Sequence, residues 1–174
     1  MKFLSVLLFV VIINVITCSV SDVAFVNIGT FVFPWIFYQK TYYVPRHFVV
    51  NWMDAKSACR DFGMELASIE TLLEYNAVVS FLIKNQQYFS PQYLHVNGMT
   101  KTLASKTDWY WLNSDQQVSY SMTWGFIEPQ NTAGDEWCLA IGVRNQYSYA
   151  DVSCVNNKQA FLCQSIPHKC KECC

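Results

Sequence analysis

An excess of charge of one sign is missing from this sequence, because 12 basic against 13 acidic residues leave a formal net charge of -1 over 174 residues. With no cationic face to offer, the chain is not read as a partner of nucleic acid or anionic lipid. Internal repeats, low-complexity tracts and linkers are also missing, and the length suits one core rather than two. Enzyme machinery has left no trace. No glycine-rich phosphate loop occurs, and His47, His95 and His168 lie far apart with no serine or cysteine nucleophile motif beside them. The sequence therefore does not read as an enzyme. His95, within Leu94-His95-Val96, reads as a structural histidine on a strand. No N-glycosylation sequon is present, so the chain is not expected to carry N-linked sugar.

A long membrane-spanning run is absent too. The apolar stretch from Phe3 to Ile16 falls short of the roughly 20 residues a spanning helix needs. Following Met1-Lys2 and ending at Thr17-Cys18-Ser19, it has the form of a signal peptide over residues 1–19. Cleavage is expected after Ser19 or Ser21, with Cys18 a weaker alternative. What remains divides into an extended segment over 20–39, a single domain over 40–165 and a cysteine-rich tail over 166–174.

Secretion places the cysteines in an oxidising compartment, where they pair. Cys59, Cys138, Cys154 and Cys163 lie inside the domain, and four cysteines allow three pairings. Cys170, Cys173 and Cys174 crowd the tail beside His168, a soft-metal spacing. Oxidised cysteines do not hold zinc, and the odd number left over points to a disulfide between chains and hence a covalent dimer.

The first half predicts helices. Asn51 caps a helix over Trp52–Phe62, with Trp52, Ala55, Ala58, Cys59 and Phe62 on one side and Gly63 ending it. A second helix follows Glu70-Thr71, carries Leu72, Leu73, Val78, Val79, Phe81 and Leu82, and runs to about Asn85. Lys40 to Val44 reads as a strand, and from Tyr93 onward short aromatic and β-branched runs alternate with turn residues. Helices first and strands later predict an α+β domain.

Several motifs then fall in order: Ala55-x3-Cys59-x3-Gly63-x2-Leu66-Ala67, Trp124-x3-Glu128-Pro129, Glu136-x-Cys138, Tyr149-Ala150-Asp151-x2-Cys154 and Phe161-Leu162-Cys163. In this arrangement the stretch from Tyr42 to Gln164 resembles a C-type lectin domain. The resemblance implies two helices on small antiparallel sheets with a long loop region, and disulfides joining Cys59 to Cys163 and Cys138 to Cys154. Closing the longer loop restrains the unfolded chain by about 3–5 kcal/mol in the chain-entropy model.

In calcium-dependent members of that family one ion bridges protein and sugar, held by hard oxygen ligands. The resemblance places those ligands, which also bind the carbohydrate, at Glu128, Gln130, Glu136 and Asp151. Ala150 stands where the family has an asparagine, so calcium binding is expected to be weakened. Gln130 is one methylene longer than the family's asparagine, and an alternative alignment would place Asn131 there. A second calcium site would need an acid where Trp137 stands, so none is expected. The order Glu128 before Gln130 is the mannose-type arrangement. Trp124, Trp137, Tyr147 and Tyr149 are candidates for stacking on a sugar face, but core positions are the commoner fate of such residues.

The resemblance thus implies a secreted lectin that binds glycans or glycoproteins with calcium, such as those on microbial surfaces. The plainer reading leaves Glu128, Glu136 and Asp151 as solvated loop residues, with Pro129 kept for its backbone. That reading gives a calcium-independent module that binds a protein partner. Secreted arthropod lectins and venom or salivary proteins of the family supply examples of each.

Overall fold

The structure, a computed structural model, describes residues 25–33, 38–89, 92–103, 105, 107–119, 124–143 and 146–166. The expected signal peptide and the tail cysteines Cys170, Cys173 and Cys174 lie outside the described residues.

Helix α1 spans Trp52–Asp61 and starts where Asn51 Oδ1 accepts the backbone N–H of Asp54 at 2.9 Å. Trp52, Ala55 and Cys59, at i, i+3 and i+7, form its buried face. Phe62 departs from the expectation. It lies beyond the last turn, 48% exposed, with its ring edge-on to Phe25 at 4.9 Å. Gly63, at φ 70°, supplies the left-handed residue that ends the helix. Helix α2 spans Leu72–Lys84, capped by Thr71, and buries Glu74, Tyr75, Val78 and Leu82. Leu72 and Leu73, expected on its apolar side, are 51% and 62% exposed in the first turn.

Strand β1 (Phe25–Phe33) pairs antiparallel with β2 (Tyr38–Pro45), which begins two residues before the expected strand. Adding β3 (Met64–Leu66) and β9 (Cys163–Ser165) completes a four-stranded sheet ordered β1-β2-β9-β3. The second sheet is ordered β5-β4-β6-β7, from β4 (Tyr93–Thr100), β5 (Trp109–Trp111), β6 (Cys138–Gly142) and β7 (Ser148–Val152). The short β8 (Ala160–Phe161) lies parallel to β4, the one departure from antiparallel pairing among the described strands. The outcome is the expected α+β architecture.

Two cores hold these layers together. Tyr42, Val78, Leu94, Val96, Trp111, Leu139, Ile141, Tyr149 and Leu162 belong to the larger. The smaller gathers Trp52, Ala55, Leu66, Val152 and Phe161 around Cys59, Cys138 and Cys163. Both implied disulfides are present: Cys59–Cys163 ties α1 to β9, and Cys138–Cys154 ties the start of β6 to the chain just past β7.

Two buried polar groups shape the core. Lys40, 1% exposed, donates to Glu74 Oε1 at 2.9 Å, Glu70 Oε2 at 3.2 Å and the Ser68 carbonyl at 2.8 Å. The Tyr42 hydroxyl donates to the same Glu74 oxygen. His95 sits on β4 as expected, its Nε2 3.1 Å and 3.2 Å from the carbonyls of Val50 and Asn157. Two carbonyl neighbours fix the proton on Nε2, and burial pushes the imidazole pKa down to about 4. Among the described residues, no helix is long and apolar enough to cross a membrane.

Candidate functional site

The long connection between β5 and β6 carries the candidate residues, and β7 supplies the surface on which its end is seated. The Gly125 N–H donates to the Tyr149 carbonyl at 2.9 Å, and Trp124 bridges to Tyr149 in parallel. The Trp124 ring lies 5.3 Å from Trp109 and 6.1 Å from Tyr149. Next comes a tight turn in which the Glu128 N–H returns to the Gly125 carbonyl at 3.0 Å. The Glu128–Pro129 peptide bond is cis.

Asp151 fastens the two residues after that proline. Its Oδ1 accepts the Gln130 N–H at 3.1 Å and its Oδ2 the Asn131 N–H at 2.7 Å. The pairing of β6 with β7 fixes this aspartate opposite Leu139 and sets Ala150 opposite Ala140. The Gln130 amide donates to Glu128 Oε1 at 3.3 Å, so three of the four expected ligands come together. Glu136 joins them through Asn131, whose Oδ1 accepts the Glu136 N–H at 3.1 Å.

Electrostatics show how closely the carboxylates sense each other. Burial, then the neighbouring Asp151 and further off Glu136, pushes the Glu128 carboxyl up to about 8. Glu136 is raised as well, first by burial and next by Asp151. The Tyr93 phenol is raised by burial and then by Glu128, Glu136 and Asp151 together. Burial and the neighbouring charges therefore disfavour the ionised form of Glu128. Its Oε2 and the Glu136 Oε2 are buried and have no hydrogen-bond partner among the described residues.

These orphaned oxygens test the fit of a calcium ion. Glu128, Glu136 and the Gln130 amide oxygen are hard donors of the right kind, whereas both Asp151 oxygens serve backbone N–H groups and Ala150 has none to offer. Among the described residues, no three acidic, histidine or cysteine side chains stand as a metal-holding group. Calcium takes six to eight oxygens, and the side chains of Glu128, Gln130 and Glu136 offer only part of such a shell.

Two positions carry more than the sequence assigned to them. Asn131, weighed as an alternative third ligand, is the left-handed corner of the next turn, at φ 49°, with Gly134 at φ 77°. Asp135 has no motif to mark it. Its Oδ2 accepts the Ser153 hydroxyl at 2.7 Å and the Asn156 amide at 2.8 Å, anchoring the loop beside the Cys138–Cys154 disulfide. Of the four aromatic candidates, Tyr147 and Tyr149 are buried in the core and Trp124 packs against it, whereas Trp137 is 37% exposed.

The family model described as lectin C-type domain matches residues 49–165. A perlucin-like protein of Mytilus galloprovincialis is 30% identical over 113 residues, covering 65% of this chain and 69% of that protein. C-type lectin 37Da of Drosophila melanogaster is 31% identical over 115 residues, covering 66% of this chain and 59% of its own. The solved structure of C-type lectin CEL-I from Cucumaria echinata superposes with a TM-score of 0.61 at 15% identity, over 75% of this chain and 91% of that one. At that identity the likeness establishes the fold.

Proposed function

The chain belongs to the C-type lectin family, and from that premise we propose that it is a secreted carbohydrate-binding lectin with a weakened calcium site. The observation that carries this reading is the pair of buried, unpartnered carboxylate oxygens on Glu128 and Glu136, next to the Gln130 amide. Unpaired acceptors of this kind are costly to bury unless a ligand completes them. Vicinal sugar hydroxyls are donors of matching chemistry. Asp151 holds the Gln130 and Asn131 backbone in place, Glu128 offers an acceptor, and Gln130 offers an amide that both donates and accepts. With the carboxylate preceding the amide, the order favours mannose-type ligands. A bound calcium ion, held by Glu128, Gln130 and Glu136 with Asp151 behind them, would supply the positive charge the cluster lacks and coordination places for sugar hydroxyls.

The test is retention on mannose and galactose resins with calcium and with chelator. Retention on mannose that chelator releases is the expected result, and no retention on either resin under any condition overturns the lectin reading. A second reading is favoured by Asp151, because with both oxygens on backbone N–H groups the loop closes without a cation. That reading is a calcium-independent module for a protein partner, and calorimetry showing no calcium uptake would select it. In either case the tail cysteines Cys170, Cys173 and Cys174 are proposed to link two chains. A dimer band on a non-reducing gel that reductant collapses to monomer is the expected result.

A further inference from the structure

A second concavity, of about 300 Å3, opens between the start of β1, the end of β2 and the last turn of α1. Phe25, Pro45, Phe48, Ala58 and Phe62 make its apolar walls, and Arg46 is its one charged lining residue. The rings form a continuous surface: Phe25 meets Phe62 at 4.9 Å and Phe161 at 6.0 Å, and Phe48 meets Phe161 at 6.1 Å. Phe48 and Phe62 are nevertheless 51% and 48% exposed. A left-handed residue, His47 at φ 49°, turns the chain between Arg46 and Phe48 and sets both on the cleft. Such a conformation is uncommon outside glycine and is held in place by its surroundings.

Arg46 decides what fits. Its guanidinium lies 5.1 Å over the Tyr88 ring, and no carboxylate forms an ion pair with it among the described residues. A guanidinium held against an aromatic ring keeps its planar fork ready for two parallel hydrogen bonds to one carboxylate. The walls offer a sugar almost no polar contact, whereas they suit an alkyl chain. The volume stands at the lower end of small-molecule sites, about 300–1,000 Å3, which suits one chain and not a two-chain lipid.

We propose that this cleft binds a medium-chain fatty carboxylate, its alkyl chain among Phe25, Phe48 and Phe62 and its carboxylate on Arg46. The site is separate from the loop carboxylates and does not depend on the lectin reading. Isothermal titration of the full secreted chain with dodecanoate, dodecanol and dodecylamine, each below its micellar concentration, tests it. Dodecanoate is expected to bind more tightly than dodecanol, and dodecylamine not to bind. Arg46→Gln is expected to weaken dodecanoate by about two- to fivefold, the worth of an ion pair at an exposed arginine, and to leave dodecanol unchanged. Ala58→Leu fills the cleft from a helical position that tolerates leucine and is expected to abolish binding of both, with an unchanged thermal melt confirming the fold. Equal binding of amine and carboxylate, undiminished dodecanoate binding by Ala58→Leu, or no dodecanoate binding at all overturns the proposal. If dodecanoate fails and Ala58→Leu abolishes a concentration-dependent dimer seen by sedimentation, the cleft is instead covered by a second copy.

Discussion

Charge is handled in opposite ways in two regions of this molecule. Under α2, one cation, Lys40, is sealed among Glu70, Glu74, the Tyr42 hydroxyl and the Ser68 carbonyl, and its donors and their acceptors are matched. Where the long loop meets β7, Glu128, Glu136 and Asp151 are gathered without an ion pair among the described residues, and two of their oxygens have no hydrogen-bond partner there. A set of charges that closes on itself is part of the fold. One that is left open leaves chemistry for a ligand to complete.

The largest loss of stability is expected at Lys40. Lys40→Met strands Glu74 in the core without its counter-charge, and chemical denaturation is expected to show a loss of about 3–5 kcal/mol. Replacing Glu74 by Leu, Glu70 by Gln and Tyr42 by Phe in the same chain is expected to recover much of that loss, because the buried charges and the hydroxyl that served them are then removed together. No corresponding loss is expected from neutralising Glu128 or Glu136.

Acid and base act on His95 and Glu128 in opposite directions. His95 has a folded pKa of about 4 against 6.5 in an unfolded chain, so the unfolded state takes up the proton first. Its contribution is intact above pH 6.5 and is lost as pH falls toward 4, by about 3 kcal/mol when complete. Glu128 runs the other way. Its carboxyl is raised to about 8 from 4.5, so its contribution is present below pH 4.5 and is lost as pH rises through 8. Urea midpoints measured from pH 4 to 9 are expected to pass through a maximum. His95→Gln flattens the acid limb and Glu128→Gln the alkaline one.

The smallest effect is expected at Ala150. Ala150→Asn restores an oxygen beside Asp151, and calorimetry is expected to show roughly tenfold tighter calcium binding, about 1.4 kcal/mol. Because Ala150 is 2% exposed, the added amide is also expected to lower stability by about 1–2 kcal/mol. Unchanged calcium affinity in a folded variant would count against the cation reading of the loop.

Much of this was legible in the chain itself, for identifiable reasons. Helix α1 is declared locally: Asn51 caps it, Trp52, Ala55 and Cys59 share a face, and Gly63 ends it. Phe62 escapes such a reading because spacing alone does not show that the helix stops one residue short of it. The four candidate ligands were legible as a motif, and three come together directly, with Glu136 joined through Asn131. The Lys40 cluster was not legible, since a lysine within a strand says nothing of carboxylates 30 and 34 residues further on. Asp135 was hidden for the same reason, its partners Ser153 and Asn156 being brought in by the β6–β7 pairing and the disulfide beyond it.

The double grip of Asp151 on the Gln130 and Asn131 backbone bears on how related chains should be read. An aspartate that first ties down a loop serves the loop's shape whether or not anything is captured there. In relatives of this chain, the residue at position 151 is therefore a marker of loop closure. The informative marker of a cation is the neighbour at 150, where an oxygen donor is costly to bury and so points to something that it binds.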